Sequence, residues 1–318
     1  MSFKLLVSAV IAVVVGYYWL NYVKRGPIYE SDKKLNGKTV LITGGNSGIG
    51  KATAMDLAKR GARVVIASRN LKKSNKVKDE IIKESGNHEV RAMQVDLEDF
   101  DSVRKFAKEF DESEKYLDYL INNAGILLEG MTKYGLNRIF VVNYFGPFLL
   151  TNLLLDKMKK QSAKRPVRII NLTSEGYKFV EFAESDISRE PSGLVEASMV
   201  YLKTNLANIY FIYDLNNKLN DYDITTYSVN PGTVNTEGFD NLSFEWKLWI
   251  YPPVLLFGRN VHYGYQTTLY TLLDDSVAQH SGGFFNGCSH EELLPHATNE
   301  SAILSLMRKS LEVTGLSP

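Results

Sequence analysis

Three stretches of this chain carry residues that could do chemistry. The first is TGGNSGIG, Thr43 to Gly50, which leaves the apolar run TVLIT (39–43) and enters an amphipathic stretch. A glycine-rich turn between a strand and a helix lets backbone approach a pyrophosphate, which the helix N-terminus then stabilises. Tight turns of this kind also use glycine for structural reasons alone, so the loop by itself leaves both readings open. The second stretch, RVVIASRN, supplies context. It ends without the Asp or Glu that would accept hydrogen bonds from a ribose 2′-hydroxyl, and offers Ser68 and Arg69 instead. An arginine there suits the 2′-phosphate of NADP, although an arginine at a strand end can also be merely solvated. The third stretch is VYLKTNLAN (200–208). If helical, it sets Tyr201 and Asn205 on one face, one turn apart, and turns Lys203 elsewhere. HEELLPH, with His290 and His296, superficially suggests a zinc site. Its spacing is wrong for one helix face and Pro295 interrupts it, so no metal is expected.

These residues need elements to hold them. Short apolar runs alternate with longer amphipathic ones: TVLIT (39–43), RVVIAS (63–68), VRAMQVDL (90–97), LDYLIN (117–122), VRIINLT (167–173) and ITTYSVN (224–230). Between them lie helical patterns such as GKATAMDLAKRG, KSNKVKDEIIKES and SVRKFAKEF. β-Branched runs without clean alternation suit strands buried on both faces. Strand and helix alternating at this spacing predict stacked βαβ units and one doubly wound parallel sheet with helices on both faces. No repeat, low-complexity tract or linker divides the body.

The 318 residues, 44% hydrophobic and 23% charged with a net charge of +1, describe an ordinary globular chain. No global field argues for nucleic acid. A single cysteine, Cys288, permits no intramolecular disulfide and tilts the body toward a reducing compartment. The first 25 residues differ from the rest. Residues 5–23 are largely apolar and would span roughly 28 Å as a helix, against a hydrocarbon core of about 30 Å. Tyr17, Tyr18, Trp19 and Tyr22 gather at the C-terminal end of the run, where amphipathic rings suit the membrane interface. A cleaved leader is the rival reading, but no small-residue cleavage pair follows and the run is long for one. We expect a membrane anchor over 1–25, a linker over 26–36 and one catalytic domain over 37–318. Lys33 and Lys34 favour the body on the cytosolic side.

Taken in order, TGGNSGIG, VDL with Asp96, NNAG (122–125) and NPGTVNT (230–236) resemble the motifs of the short-chain dehydrogenases/reductases over residues 37–290. ESGNHEV, GPFLLTNLLLD (146–156) and SGGFFNGC look like the retinol-dehydrogenase-like branch, whose members commonly carry an N-terminal anchor. The resemblance implies a Rossmann-type fold and an NADP(H)-dependent oxidoreductase, with the endoplasmic reticulum as its membrane and homo-oligomerisation left open. It implies cofactor contacts at Gly44, Asn46, Ser47, Gly48, Ile49, Gly50 and Arg69, and around the adenosine at Asp96, Leu97, Asn123, Ala124 and Gly125. Pro231, Gly232 and Thr236 would flank the nicotinamide. Asn143, Ser174 and Tyr201 match the family's catalytic positions, with Tyr201 also lining the cofactor. The family's lysine falls at 205, where this chain has Asn205.

That exchange matters chemically. Tyr201 would give or take a proton at the carbonyl oxygen, yet an ordinary phenol titrates near 10. A nearby ammonium lowers that value by favouring the phenolate. Asn205 can supply a hydrogen bond but no charge, and Lys203, two residues back, is turned about 200° from it. Reduction should suffer less than oxidation, because a neutral phenol is already the donor that reduction needs. A cofactor-binding module with little catalysis is the rival. After the nicotinamide motif, FDNLSFEWKLWIYPPVLLFGRN (239–260) is aromatic and apolar. In this family the region closes over substrate, which implies a lipophilic carbonyl or alcohol such as a retinoid, isoprenoid or steroid. Packing on the body or dipping into the membrane are alternative uses.

Overall fold

A strand buried on both faces needs two apolar layers, one for each parity of its side chains. The computed structural model, which describes residues 25–234, 247 and 258–317, shows both layers. The expected anchor, apart from Arg25, lies outside the described residues, as do Thr236 and all of the aromatic stretch 239–257 except Lys247.

In chain order the main elements are β1 (Thr39–Thr43), α1 (Gly48–Lys59), β2 (Arg63–Ser68), α2 (Leu71–Ser85), β3 (Val90–Gln94), α3 (Phe100–Ser113) and β4 (Tyr119–Asn122). Then come α4 (Arg138–Ser162), β5 (Val167–Leu172), α5 (Leu194–Lys218), β6 (Ile224–Asn230), α6 (Gln266–Leu273), β7 (Phe284–Asn286), β8 (Ser289–Glu291) and α7 (Glu300–Thr314). They form one eight-stranded sheet in the order β3-β2-β1-β4-β5-β6-β7-β8. Pairing is parallel from β3 through β7. The expectation of an entirely parallel sheet needs correction at its margin, because β8 returns antiparallel to β7. The turn between them, Gly287–Cys288, has positive φ at both residues, which tightens it into a hairpin rather than a helical crossover.

Register explains the two layers. Leu41 lies beside Val65 and Leu120, and all three face the core under α3, α4, α5 and α7. One residue on, Ile42 lies beside Ile66 and Ile121, and these face the core under α1, α2 and α6. Each such fully buried side chain contributes about 1.5–3 kcal/mol. Helix α4 is long and apolar enough to cross a membrane, but 78% of its most apolar window is buried inside the fold, so it is a core helix.

The two ends of the sheet differ. At the N-terminal end, the fully buried Asp118 carboxylate accepts from the Thr39 amide (2.8 Å), Lys38 Nζ (3.0 Å) and Arg165 NH2 (2.7 Å), tying β1, β4 and β5 together. At the C-terminal end the connections from β1 and β4 leave in opposite directions along the sheet. A crevice opens at such a reversal, and ligands of open α/β sheets bind there.

Candidate active site

The loop from β1 to α1 reaches that crevice first. Gly44 has φ +67°, and a Cβ at Gly50 would sit 2.5 Å from both Gly44 O and Asn123 Nδ2, so neither position admits a side chain without displacement. Ser47 is the N-cap residue of α1, yet its hydroxyl makes no capping bond, and the first turn holds no acid. The amides of Gly48, Ile49 and Gly50 therefore begin a helix whose N-terminal donors suit a phosphate. Asn46 is turned sideways: Nδ2 donates to Ser68 Oγ at 2.7 Å, and Ser68 in turn pairs with Ser74 Oγ. This ties the glycine loop to the end of β2, where Arg69 is exposed and no carboxylate follows.

Asp96, beyond β3, uses Oδ1 to accept the Glu98 amide (3.0 Å), while buried Leu97 packs against α4, where a Cβ on Gly146 would meet Leu97 O at 2.6 Å. After β4, Asn123 donates through Nδ2 to Thr43 O (2.9 Å), and the amides of Asn123 and Ala124 donate to Thr43 Oγ1 (3.0 and 3.1 Å). The Asn123 side chain is thus committed to holding the β1 and β4 ends together, and its segment continues to Gly125 beside Asn143. At the far side, Gly232 has φ +77° and its amide donates to Asn230 Oδ1 (3.0 Å), fixing the turn that starts at Pro231.

Asn143 lies in a π-helical turn, Val141–Phe145, within α4. Its side chain bridges both main-chain groups of Ile126, accepting from the amide (2.8 Å) and donating to the carbonyl (2.9 Å). Ser174 follows β5, half-buried, with Oγ accepting from the Gly176 amide (3.1 Å). A Cβ on Gly176 would meet Leu202 Cδ2 at 2.3 Å, which lays the turn after Ser174 against α5 at the residue next to Tyr201.

On α5, Tyr201 and Asn205 share a face as the spacing required. Asn205 is 5% exposed and its Nδ2 donates to the Tyr201 main-chain carbonyl (2.9 Å). Burial pushes the Tyr201 phenol above its ordinary value, and hydrogen bonding from the Asn205 side chain works against that rise; the net direction is up. Lys203 faces away and is held by Asp186 at 2.7 Å. Among the described residues, no cation is recorded as lowering the Tyr201 phenol.

Sequence reasoning assigned no site role to Asn208 or Asn171. Both are buried and belong to a chain of amides: Asn122 Nδ2 to Asn171 Oδ1 (2.8 Å), Asn171 Nδ2 to Asn208 Oδ1 (3.0 Å), and Asn208 Nδ2 to the Asn143 carbonyl (2.9 Å). Lone asparagines leave no periodic signal. The available clue was Pro147, four residues after Asn143. His290 stacks on His280 (centroids 4.1 Å apart), whereas His296 bonds the Tyr177 carbonyl, so these two histidines of HEELLPH have different partners.

A sequence profile described as short chain dehydrogenase matches residues 38–185. Human dehydrogenase/reductase SDR family member 13 is 38% identical over 308 residues, covering 96% of this chain and 80% of that protein. The chain belongs to the short-chain dehydrogenase/reductase family. Human retinol dehydrogenase 11, 37% identical over 292 residues with 91% and 89% covered, places it in the retinol-dehydrogenase-like branch. Among solved structures, a putative uncharacterized protein from Mycobacterium paratuberculosis superposes with a TM-score of 0.69 at 24% identity, covering 93% of this chain and 97% of that one. That likeness speaks for the fold. As a member of this family the chain is an NAD(P)-dependent oxidoreductase, and the crevice just described has the shape and donors for such a cofactor.

Proposed function

We propose that this short-chain dehydrogenase/reductase is a membrane-anchored, NADPH-preferring reductase of lipophilic aldehydes or ketones, with the reverse oxidation of alcohols weak at neutral pH. The observation that carries the reading is Tyr201: half-buried on α5, its phenol is pushed up by burial, with Asn205 rather than a lysine one turn on. Such a phenol stays protonated through the physiological range and is ready to donate. When bound, the reduced nicotinamide supplies hydride to the carbonyl carbon. Ser174 polarises the carbonyl oxygen, and Tyr201 delivers the proton that completes the alcohol and is itself reprotonated from solvent. Asn143 spaces the loop after β4 from α5. The Gly48–Gly50 amides receive the pyrophosphate, and Arg69 faces the 2′-phosphate. Asp96 and the Asn123–Gly125 segment would border the adenosine and Pro231 and Gly232 the nicotinamide, with Thr236, outside the described residues, assigned there by the motif alone.

The anchor reading rests on residues 5–23, and the lipophilic substrate class on the aromatic stretch 239–257 together with the names of the retinol dehydrogenase relatives. The cytosolic orientation rests on Lys33 and Lys34, close behind the anchor. Asn205 also favours a second reading, a cofactor-binding module with little turnover.

Fluorescence titration with NADPH and NADH, followed by NADPH oxidation with retinal, farnesal and a steroid ketone, tests the proposal. A charge-assisted contact at Arg69 is worth roughly 1.5–3 kcal/mol, so NADPH should bind on the order of tenfold to a hundredfold tighter. Arg69→Asp should reverse the preference. Equal affinities would sink the NADP assignment. Tight NADPH binding with no turnover, in wild type and Tyr201→Phe alike, would hand the lead to the binding module.

A further inference from the structure

In a regular α-helix the carbonyl of residue 143 accepts from the amide of residue 147. Residue 147 is proline, which has no N–H and whose ring crowds the carbonyl four residues back. The helix contains a π turn at this point, in which the Gly146 amide reaches back to Val141 O. Asn143 is 6% exposed, so water is a poor substitute for the missing donor, and a buried carbonyl left unpaired is costly. The donor comes from another helix: Asn208 Nδ2, 2.9 Å away.

The polarity of the contact is dictated. A main-chain carbonyl can only accept, so Asn208 must present its NH2 group there and turn Oδ1 toward Asn171 Nδ2, at 3.0 Å. Asn171 then offers Oδ1 to Asn122 Nδ2, itself also bonded to Thr151 Oγ1 (3.0 Å). A chain of buried amides therefore runs from β4 through β5 and α5 into the π turn. Asn208 is its link between the helix that carries Tyr201 and the helix that carries Asn143.

We infer that Asn208 is a positioning residue for the catalytic helix: by clamping the Asn143 carbonyl that Pro147 deprives of its α-helical donor, it fixes Tyr201 on α5 relative to the Asn143–Ile126 contact and the loop after β4. Tyr201 lies two turns from Asn208 on the same helix, and Thr204 between them also meets Asn143, Nδ2 to Oγ1 at 3.5 Å. Asn208 touches neither substrate nor cofactor in this scheme. Its effect on turnover rests on the reductase reading above; the clamp itself does not.

The test uses Asn208→Ala, Pro147→Ala and the double variant of the full-length protein. Alanine at 147 brings back an amide N–H that can reach the Asn143 carbonyl, so Pro147→Ala should make Asn208 dispensable. Asn208→Ala alone should lower kcat for NADPH-dependent reduction roughly tenfold to a hundredfold, the scale expected for a misplaced catalytic group. NADPH affinity should stay within about twofold, since a distant buried contact leaves the phosphate site intact. The double variant should recover most of the lost kcat. An unchanged kcat in Asn208→Ala, or a loss that Pro147→Ala fails to recover, would overturn the inference. If Asn208→Ala does not fold, the double variant should fold, and failure to do so also overturns it. Hydrogen exchange over residues 138–150 reads the clamp without activity: faster in Asn208→Ala and slowed again in the double variant. If the wild type reduces no carbonyl, the reductase reading fails, and exchange alone decides the clamp, with no change across the variants counting against it.

Discussion

On the proposed reductase reading, Tyr201 and Asn205 together would decide which direction of hydride transfer the site favours. A phenol whose value is raised by burial remains protonated below its ordinary titration near 10 and loses its proton only above it. Reduction, which consumes the protonated form, should therefore hold constant from neutral pH upward and fall only on the alkaline side of 10. Oxidation, which needs the phenolate, should rise with pH over the same range. Asn205→Lys places an ammonium beside the phenol. A fall of 2 units corresponds to about 2.7 kcal/mol in favour of the phenolate. Because position 205 is only 5% exposed, desolvation of the ammonium offsets part of that gain. The expected outcome is faster alcohol oxidation with its pH optimum shifted to lower pH, while reduction at pH 7 changes less. Parallel pH–rate profiles of the wild type, Asn205→Lys and Tyr201→Phe measure it. A profile for Asn205→Lys that overlays the wild type would mean that another group already tunes Tyr201.

At the scale of elements, stability at the end of the sheet remote from the crevice rests on one carboxylate. Asp118, ahead of β4, is fully buried and joins Lys38 and Thr39 at β1 to Arg165 ahead of β5. Asp118→Ala leaves the Thr39 amide unpaired and removes the partner of two cations, so it should cost about 3 kcal/mol. Urea denaturation would show this as a lower midpoint with unchanged slope, and a loss under about 1 kcal/mol would count against the assigned role. The elements themselves were unevenly legible. TVLIT, RVVIAS and ITTYSVN match strands to the residue, because burial on both faces favours β-branched and apolar residues without clean alternation. VRAMQVDL is a strand only to Gln94, since Val95 to Leu97 bend into the loop that carries Asp96. Strands β7 and β8 escaped notice: three residues each, set among glycines, they are defined by their partners across the sheet rather than by any pattern of their own. The site was readable wherever backbone geometry demands a residue type, as at Gly44 and Gly50. It was opaque at Asn208, whose inferred role depends on a proline two elements earlier in the chain, on the helix packed beside it.

For the whole molecule, the body is expected to stand without its first residues. The described residues hold both core layers, and their one helix with membrane-like composition is α4, inside the fold. Full-length protein should sediment with membranes and resist alkaline carbonate, whereas a chain lacking residues 1–25 should be soluble and bind NADPH with unchanged affinity. Full-length protein that stays in solution without detergent would refute the anchor. The sheet margins carry a further consequence for that released body. At one margin β8 is three residues long and bears Ser289, His290 and Glu291, with Glu291 paired to Lys178. At the other, β3 presents Arg91, paired to Glu114. Short, charged outer strands are poor templates for another chain to add to. Without residues 1–25 and at high concentration, the domain would thereby be guarded against stacking edge to edge into aggregates, and self-association would be left to its helical faces.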